Sequence, residues 1–474
     1  MNSISVMPPQ MAKKDIISGN KRVALSTLGC KVNSFETELI AQKLSGRHYS
    51  RVKSTEEADL YIINTCTVTS EADRQARQLV RKAIRSNPQA WVVVTGCYAE
   101  IDPNACSMIP GVDLVVGNSQ KLDIPSLLDT LYQGELPPIL GKNIDKEISL
   151  PDELLSGYEG RTRAFVQIQQ GCDQGCTFCV IHKARGPNRS FPLSMIRRQI
   201  ERLVLNGYKE IVICGVDIGS YGSDFEDSSQ NLTMLLKEVV KVEGDYRLRL
   251  SSIDPAHITD ELIDCIASEP AICPQLHLSM QSGSTLILKR MKRRATRDVL
   301  YERVSALKKA VPNLVLSADI LVGFPTESDE HFQQTLEAMN DLDIAYPHVF
   351  AYSPRPGTPA ARIPSQVPKA IRKERAVKAR EMGKQVWRRV AMAQIGDHSR
   401  ILLESNDNRT NDNRANNGVI SGRASNYFPI RVEPVKNADF HAGDTIVEDG
   451  GVSGWLNVEI TAVSADALIA RRLS

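Results

Sequence analysis

Three cysteines stand close together in the stretch "QQGCDQGCTFC", at Cys172, Cys176 and Cys179. They follow an apolar segment that predicts a strand, so the spacing C-x3-C-x2-C falls on a strand-end loop. Thiolates bind iron–sulfur clusters, and ferredoxin-type sites supply four of them to a four-iron cluster. This run has no nearby fourth cysteine, which leaves one iron open for a substrate ligand. A zinc site is the weaker alternative, because structural zinc requires four protein ligands.

Three further cysteines, Cys30, Cys66 and Cys97, each follow a predicted strand in the first part of the chain. The carboxyl ends of parallel strands lie along one edge of a doubly wound sheet, so the three thiols are expected to meet there. Convergent thiolates form a soft-metal site. The alternative is that each cysteine is a small residue filling a tight turn. The remaining cysteines lack this pattern and are interpreted as structural: Cys106, Cys214, Cys265 and Cys273.

The elements that carry Cys30, Cys66 and Cys97 alternate between strand and helix patterns, which predicts a parallel sheet with crossover helices. After the first strand, Asn33 is followed three residues later by Glu36. That spacing predicts a helix start of the capping-box type.

Downstream of the C-x3-C-x2-C loop, strands and helices continue to alternate. Strands are predicted at 165–171, 210–216, 248–253, 275–280, 314–322 and 345–352. Helices are predicted from Ser194 and at 231–243, 259–268, 284–291, 296–310 and 328–340. Six β/α units form an incomplete parallel barrel, whose sites lie at the carboxyl ends of the strands. At those ends, Gly215 would let a ligand approach the backbone, and we predict cofactor or substrate contacts for Gln281, Ser282 and Asp319.

Composition places the chain among ordinary globular proteins. Its 474 residues exceed what one core usually covers, so two to four domains are expected. No apolar run is long enough to span a bilayer, and residues 1–19 lack a secretory signal and are predicted to be a disordered lead-in. A cytoplasmic chain with ten cysteines is expected to use them for metal binding or catalysis rather than in disulfides.

Charge is informative only through its distribution, because the net charge is +2. Basic residues concentrate in "LKRMKRRATR", 288–297, and in the helical segment 371–390. Such runs are usually solvated faces, but they also hold phosphate backbones.

The C-x3-C-x2-C run after a strand resembles the signature of the radical S-adenosylmethionine enzymes. That resemblance implies that the open iron binds S-adenosylmethionine, that cleavage yields a 5′-deoxyadenosyl radical, and that Phe178 lies near the adenine. Together with the amino-terminal cysteines, residues 20–465 resemble the methylthiotransferase family. In that family Cys30, Cys66 and Cys97 would bind a second iron–sulfur cluster, the source of the inserted sulfur. Two 4Fe–4S clusters and S-adenosylmethionine are therefore the implied cofactors.

Within that family, "TLGCKVN", "RTRAFVQIQQGC", "ARGPNRS" and "YSPRPGTPA" resemble the bacterial branch that modifies threonylcarbamoyladenosine beside the anticodon of tRNA. The resemblance implies a cytoplasmic transferase that places a methylthio group on C2 of that nucleoside. Its partners would be the tRNA anticodon stem-loop and a reductant protein such as flavodoxin or ferredoxin. No association with a membrane is expected. One departure is His182-Lys183, where the family has proline and an aromatic residue. Isopentenyladenosine or a ribosomal-protein aspartate is the alternative substrate, and a non-catalytic iron–sulfur or RNA-binding protein is the distant alternative.

Short strand-like runs in the last segment suggest a small barrel, which resembles the RNA-binding TRAM domain. Stacking and phosphate contacts are expected there from Arg423, Asn426, Tyr427 and Phe428. The predicted organisation is a methylthiotransferase amino-terminal domain at 20–132, a linker at 133–157, a radical-SAM core at 158–388 and a TRAM-like domain at 391–470.

Overall fold

The structure is a computed structural model that describes residues 21–146, 150–227, 229–404, 420–433, 446–448 and 451–473. The lead-in predicted at 1–19 lies outside these residues. Contacts divide the chain into two compact units. The amino-terminal unit comprises 1–155, 171–173 and 179–187, and the carboxyl-terminal unit comprises 156–170, 174–178 and 188–474. Among the described helices, none has the length and apolar character needed to cross a membrane.

A six-stranded parallel sheet with the order β2-β1-β3-β4-β5-β6 forms the centre of the amino-terminal unit. Its strands are β1 Lys21–Thr27, β2 Tyr49–Val52, β3 Leu60–Thr65, β4 Trp91–Gly96, β5 Leu114–Val116 and β6 Ile139–Leu140. Its helices are α1 Lys31–Ser45, α2 Ser70–Ser86, α3 Cys97–Ile101, α4 Pro103–Ser107, α5 Ile124–Tyr132 and α6 Ile181–Arg185.

Both faces of this sheet are covered, as expected for buried parallel strands rich in Val and Ile. All six residues of β3 are buried, and successive side chains point to opposite faces. Ile62 packs with Ile40 of α1 and Leu128 of α5. Ile63 packs on the other face with Val80 of α2. The predicted doubly wound sheet is confirmed.

In the carboxyl-terminal unit, strands alternate with helices, and all of its strands before the small barrel except two short ones pair in parallel. The strands are β7 Arg163–Gln167, β8 Gln169–Gln170, β9 Arg189–Ser190, β10 Glu210–Cys214, β11 Arg247–Leu250, β12 Ser252–Ile253, β13 Gln275–Gln281, β14 Val315–Val322 and β15 Ile344–Ala351. The helices are α7 Leu193–Leu205, α8 Leu232–Val239, α9 Asp260–Ser268, α10 Thr285–Arg290, α11 Arg297–Ala310, α12 Asp329–Asp341 and α13 Lys369–Met392.

Two parallel sheets with the orders β11-β10-β7 and β12-β13-β14-β15 make up the incomplete barrel. Only Ser251 separates β11 from β12, so one chain segment passes from the first sheet into the second. The short strands β8 and β9 pair separately. The six predicted β/α units are therefore confirmed.

A closed five-stranded barrel with the order β16-β17-β18-β22-β21 follows α13. Its strands, with the separate pair β19 and β20, are β16 His398–Leu403, β17 Ile420–Arg423, β18 Pro429–Val432, β19 Ile446–Glu448, β20 Gly451–Ser453, β21 Trp455–Val463 and β22 Leu468–Arg472. The small barrel predicted from the sequence is confirmed.

The expected RNA contacts of this barrel are wrong for two residues. Phe428 is fully buried in the barrel core, where it packs against Trp387 of α13. Asn426 is also buried and donates a hydrogen bond to Gln394 Oε1 at 2.7 Å. Both residues lie in the turn between β17 and β18, and this turn folds Phe428 into the barrel core. Tyr427 is half-buried under the Arg423 guanidinium, which lies 4.5 Å from its ring centre.

Candidate cluster and cofactor sites

Register brings the three amino-terminal cysteines to the same sheet edge. Thr27 of β1 is level with Asn64 of β3, and Thr65 of β3 is level with Gly96 of β4. Cys66 and Cys97 follow directly after their strands, and Cys30 follows β1 after Leu28 and Gly29. Cys30 is the N-cap of α1 and is exposed, whereas Cys66 and Cys97 are buried.

Glycine is required immediately before two of these cysteines. Gly29 has φ +97°, and a Cβ on it would lie 2.8 Å from the Cys66 sulfur. Gly96 has φ +96°, and its Cβ would lie 2.4 Å from Asn64 Oδ1. Left-handed backbone is readily adopted only by glycine. A side chain at position 29 or 96 would therefore collide with Cys66 or Asn64, beside the turns that carry Cys30 and Cys97.

The three thiols are close enough to influence one another electrostatically. Burial, together with the nearby Cys97 and Cys30 thiols, raises the pKa of Cys66 to about 12. Three thiols in one place disfavour full ionisation unless a positive group compensates. A metal or iron–sulfur cluster provides such compensation, because it binds the thiolate form. The donor set fits a soft metal or an iron–sulfur cluster.

Arg185 of α6 brings a guanidinium to this site. Its Nε donates to the Cys97 sulfur at 3.2 Å, and its side chain is 1% exposed. Its Nη2 donates to Glu36 Oε2 at 3.0 Å and to Asn33 Oδ1. Burial disfavours the charge, but Cys97 and Glu36 hold the pKa of Arg185 well above its ordinary value. A permanent cation therefore lies against the sulfur of one proposed ligand.

Lys121 is the second buried cation of this cluster. Its Nζ donates to Glu36 Oε2 at 2.7 Å, and its side chain is 1% exposed. Burial alone would raise the pKa of Glu36, but Arg185 and Lys121 lower it to about 2. Asn118 completes the surroundings of Cys97, with its amide nitrogen 3.9 Å from the sulfur.

The capping-box prediction for Asn33 and Glu36 is wrong. Helix α1 begins earlier, at Lys31, so both residues lie inside the helix and are buried. Asn33 donates to the carbonyls of Leu28 and Thr65 at 2.8 and 3.0 Å. It therefore ties together the turns that precede Cys30 and Cys66. Long-range pairing has overridden a local helix signal.

Residues of the C-x3-C-x2-C loop divide between the two units. In the amino-terminal unit, the Cys172 amide donates to the Gly186 carbonyl at 3.0 Å. The Cys179 sulfur accepts a hydrogen bond from the Ile181 amide at 3.3 Å. In the carboxyl-terminal unit, the Cys176 sulfur accepts from Arg293 Nη1 at 3.4 Å.

Arg293 belongs to the basic run 288–297, part of which turns inward. Its side chain is 10% exposed and donates to Asp254 Oδ2 at 2.6 Å. The neighbouring Arg294 donates to Asp217 Oδ2 at 2.8 Å. The interpretation of this run as a solvated or phosphate-binding face is therefore wrong for these two arginines, since strand-end carboxylates draw both inward.

The residues predicted to contact the cofactor or substrate differ from one another in their surroundings. Phe178 packs edge-on against Phe324, with ring centres 6.5 Å apart. A Cβ at Gly215 would lie 2.9 Å from Gln169 Oε1, so a protein side chain already makes the close approach there. Gln281 has φ +66°, a strained conformation for a residue with a side chain. Ser282 is fully buried, and its hydroxyl lies 3.2 Å from that of Thr335.

Asp319 lies between two histidines on neighbouring strands. Its Oδ1 is 3.1 Å from Nε2 of His277 and 3.7 Å from Nδ1 of His348. Burial would raise the pKa of Asp319, but the two imidazoles lower it, so the carboxylate stays ionised. Ser317 Oγ lies 3.0 Å from the other nitrogen of His277, Nδ1. The sequence analysis predicted Asp319 but missed both histidines, which lie within β13 and β15 and belong to no recognisable motif.

Comparison with known proteins agrees with this architecture. The sequence matches the family described as "Radical SAM superfamily" over residues 166–339 and "Uncharacterized protein family UPF0004" over residues 22–117. Among solved structures, the chain is similar to the radical S-adenosylmethionine methyltransferase TsrM from Kitasatospora setae. The TM-score is 0.52 at 15% identity, with 72% of this chain and 77% of that chain covered, which shows a shared fold. The chain is thus of the radical-SAM class, which implies a 4Fe–4S cluster and S-adenosylmethionine.

Relatives with higher identity narrow this class. The threonylcarbamoyladenosine tRNA methylthiotransferase MtaB of Bacillus subtilis is 39% identical, covering 86% of this chain and 89% of its own. The protein of the same name from Rickettsia prowazekii is 41% identical, covering 83% and 90%. The tRNA-2-methylthio-N(6)-dimethylallyladenosine synthase of Acinetobacter baumannii is 34% identical, covering 81% and 82%. The chain belongs to the threonylcarbamoyladenosine tRNA methylthiotransferase family.

Proposed function

We propose that this protein is a transferase that replaces the C2 hydrogen of N6-threonylcarbamoyladenosine in tRNA with a methylthio group. The observation that carries the proposal is the meeting of Cys30, Cys66 and Cys97 at one sheet edge in a chain that also holds the C-x3-C-x2-C loop. The Bacillus and Rickettsia relatives named for this substrate are 39% and 41% identical, above the 34% of the Acinetobacter dimethylallyladenosine enzyme. This difference supports threonylcarbamoyladenosine over isopentenyladenosine.

Each set of cysteines has its own role in this proposal. Cys172, Cys176 and Cys179 hold a 4Fe–4S cluster with one open iron. Cys30, Cys66 and Cys97 hold a second 4Fe–4S cluster. When bound, S-adenosylmethionine and the clusters supply the radical, the methyl group and the sulfur.

The barrel residues serve to position S-adenosylmethionine and the nucleoside. Phe178 offers an aromatic edge near the adenine, and Gly215, Gln281 and Ser282 shape the strand ends around the cofactor. Asp319, held ionised by His277 and His348, offers an acceptor to hydroxyl or amino groups. The assignments of Gly215, Gln281 and Ser282 follow from their strand-end positions, and that of Asp319 follows from its charge.

A cavity of about 900 Å³ supports tRNA as the partner. It lies between β15, α13 and the loop after β21, and its lining combines basic and aromatic side chains: Tyr346, His348, Arg380, Lys384, Trp387 and Arg388. Cations attract the phosphate backbone, and aromatic rings stack on unpaired bases. We propose that the anticodon stem-loop binds here, that flavodoxin or ferredoxin supplies electrons, and that the reaction takes place in the cytoplasm.

Cysteine variants test the two roles separately. Anaerobically reconstituted C172A should no longer cleave S-adenosylmethionine to 5′-deoxyadenosine. The C30A variant should retain cleavage but form no methylthiolated nucleoside, because only the sulfur source is lost. The buried Cys265 provides the matched control, and C265A should retain both activities. Methylthiolated product from C30A would contradict the sulfur role of the amino-terminal site.

The substrate is tested in tRNA from a deletion strain by nucleoside mass spectrometry. We expect loss of 2-methylthio-N6-threonylcarbamoyladenosine, with its unthiolated precursor accumulating. Loss of the methylthio-isopentenyl nucleoside instead would overturn the substrate assignment while leaving the chemistry intact.

A further inference from the structure

A buried cluster of charges surrounds Cys97 in the amino-terminal unit. It contains two cations, Arg185 and Lys121, and the Glu36 carboxylate that both contact. All three side chains are at most 5% exposed. Burying a cation costs several kcal/mol unless a charged partner compensates. Both cations contact the Glu36 carboxylate. The Arg185 guanidinium also donates a hydrogen bond to the Cys97 sulfur.

Glu100 is a further carboxyl group near this cluster. Glu100 is near enough to interact electrostatically, but burial raises its pKa, and its Oε2 accepts from the Asn118 amide at 2.6 Å. On its other side, Arg185 contacts the sulfur of Cys97 at 3.2 Å. A ligating Cys97 thiolate would therefore give Arg185 a second anionic partner beside Glu36.

We propose that Arg185 is a positioning residue that sets the reduction potential of the iron–sulfur cluster held by Cys30, Cys66 and Cys97, with Lys121 acting more weakly through Glu36. This inference rests on the proposed function, which places a cluster there. Reduction adds one negative charge to a cluster, so a fixed neighbouring cation favours the reduced form. Hydrogen bonds to ligand sulfur and local net charge are the protein's means of adjusting such potentials.

The position of Arg185 in the sequence links the two proposed clusters. Arg185 lies in α6, six residues after Cys179 (185 − 179), and is buried beside Cys97, 88 residues earlier in the sequence. One short segment thus carries both a ligand of the first proposed cluster and the donor to a ligand of the second. The potential of the sulfur-supplying cluster is therefore set by the segment that carries the S-adenosylmethionine motif.

The test uses the full chain with Cys172, Cys176 and Cys179 replaced by alanine, so that only the amino-terminal cluster is reconstituted. Its midpoint potential is measured by redox titration followed by electron paramagnetic resonance. We expect R185Q to shift the oxidised-to-reduced equilibrium at least tenfold toward the oxidised form, which is about 59 mV for a one-electron couple. R185K retains the charge and should lie closer to the parent. K121M should shift in the same direction as R185Q but less, because Lys121 contacts Glu36 and not sulfur.

Arg47 provides the matched control, since its ion pair with Asp129 lies on the surface of the same unit. R47Q should leave the potential unchanged. An unchanged potential in R185Q, with parental iron content, would overturn the inference while leaving the proposed function intact. Failure of the parent protein to bind any cluster would instead overturn the proposed function.

Cluster loss gives a second readout. If R185Q loses iron while R185K retains it, and both remain folded by circular dichroism, the cation is needed to hold the cluster, which supports the inference. If folded R185K and R185Q lose iron equally, the shape of the arginine rather than its charge is required, and the inference fails.

Discussion

Glu36 shows how a residue's neighbours decide its role. Three residues after Asn33, it matched a helix-capping pattern, but it is buried as the counterion of Lys121 and Arg185. A carboxylate that accepts from two cations in a buried site is held firmly in its charged form. The same interaction fixes the guanidinium that contacts Cys97.

Replacing Glu36 by glutamine should destabilise the protein by about 3–5 kcal/mol at pH 7, because two buried cations lose their shared anion. The pKa of Glu36 is lowered to about 2 in the folded chain. Its stabilisation is therefore complete above its ordinary pKa and is lost as the pH falls toward 2. Urea unfolding at several pH values should show a weaker pH dependence for E36Q in that acidic range. E71Q, which removes an exposed partner of Arg74, is the control and should behave like wild type. Equal acid sensitivity of E36Q and wild type would contradict the assignment.

At the scale of elements, strand ends and the turns after them form the amino-terminal site. Register makes β1, β3 and β4 end side by side, and left-handed glycines then turn the chain directly before Cys30 and Cys97. A parallel sheet needs crossover connections, so these adjacent turns come from distant parts of the sequence. The site depends on the geometry of the turns as much as on the thiols.

Gly96→Ala should impair this site more than its small size suggests. The added Cβ would lie within 2.5 Å of Asn64 Oδ1 and the Thr65 backbone, in a conformation that already disfavours alanine. We expect a loss of more than about 1 kcal/mol and reduced iron bound by the amino-terminal cysteines. Gly134 has φ +74° with open space around it, so G134A measures the backbone cost alone. If G96A and G134A bound equal amounts of iron, crowding at Gly96 would be unimportant.

At the scale of the whole molecule, the carboxyl-terminal unit combines the incomplete barrel, α13 and the small closed barrel in one compact body. Helix α13 is not uniformly solvated, because Arg375 is buried and contacts Glu327 and Asp329, each at 2.7 Å. The basic side chains that line the cavity lie further along the same helix, at Arg380, Lys384 and Arg388. Arg375 of this helix therefore stabilises the fold, whereas Arg380, Lys384 and Arg388 are placed for the proposed tRNA contact.

Replacing Arg380, Lys384 and Arg388 together by glutamine should weaken tRNA binding and reduce its salt dependence. Each lost phosphate contact lowers the slope of log affinity against log salt by about 0.7–0.9. Filter binding or fluorescence anisotropy over a range of salt concentrations measures this slope. K241Q, which removes an exposed lysine just after α8, is the control and should bind like wild type. An unchanged slope in the triple variant would exclude this cavity as the backbone contact.

The small barrel and the basic runs show which features could be predicted from the sequence and which could not. Short alternating strands were enough to predict the barrel, because strand propensity and turn residues are local properties. Which side chains became buried could not be predicted from local sequence. Phe428 lies in the core against α13, and Arg293 turns inward to Asp254. Neither side chain is therefore available for the RNA contacts that a surface position would allow.

By itself the sequence determined the two parallel α/β arrangements, the strand-end position of all six proposed cluster cysteines and the radical-SAM class. Hydrophobic periodicity and short motif spacing carry this information within a few residues of chain. Only the tertiary structure decided that Glu36 meets Lys121, 85 residues away, and Arg185, 149 residues away. The sequence contains no local signal for such a meeting, because it depends on which strands lie side by side and on which buried charges must then be neutralised.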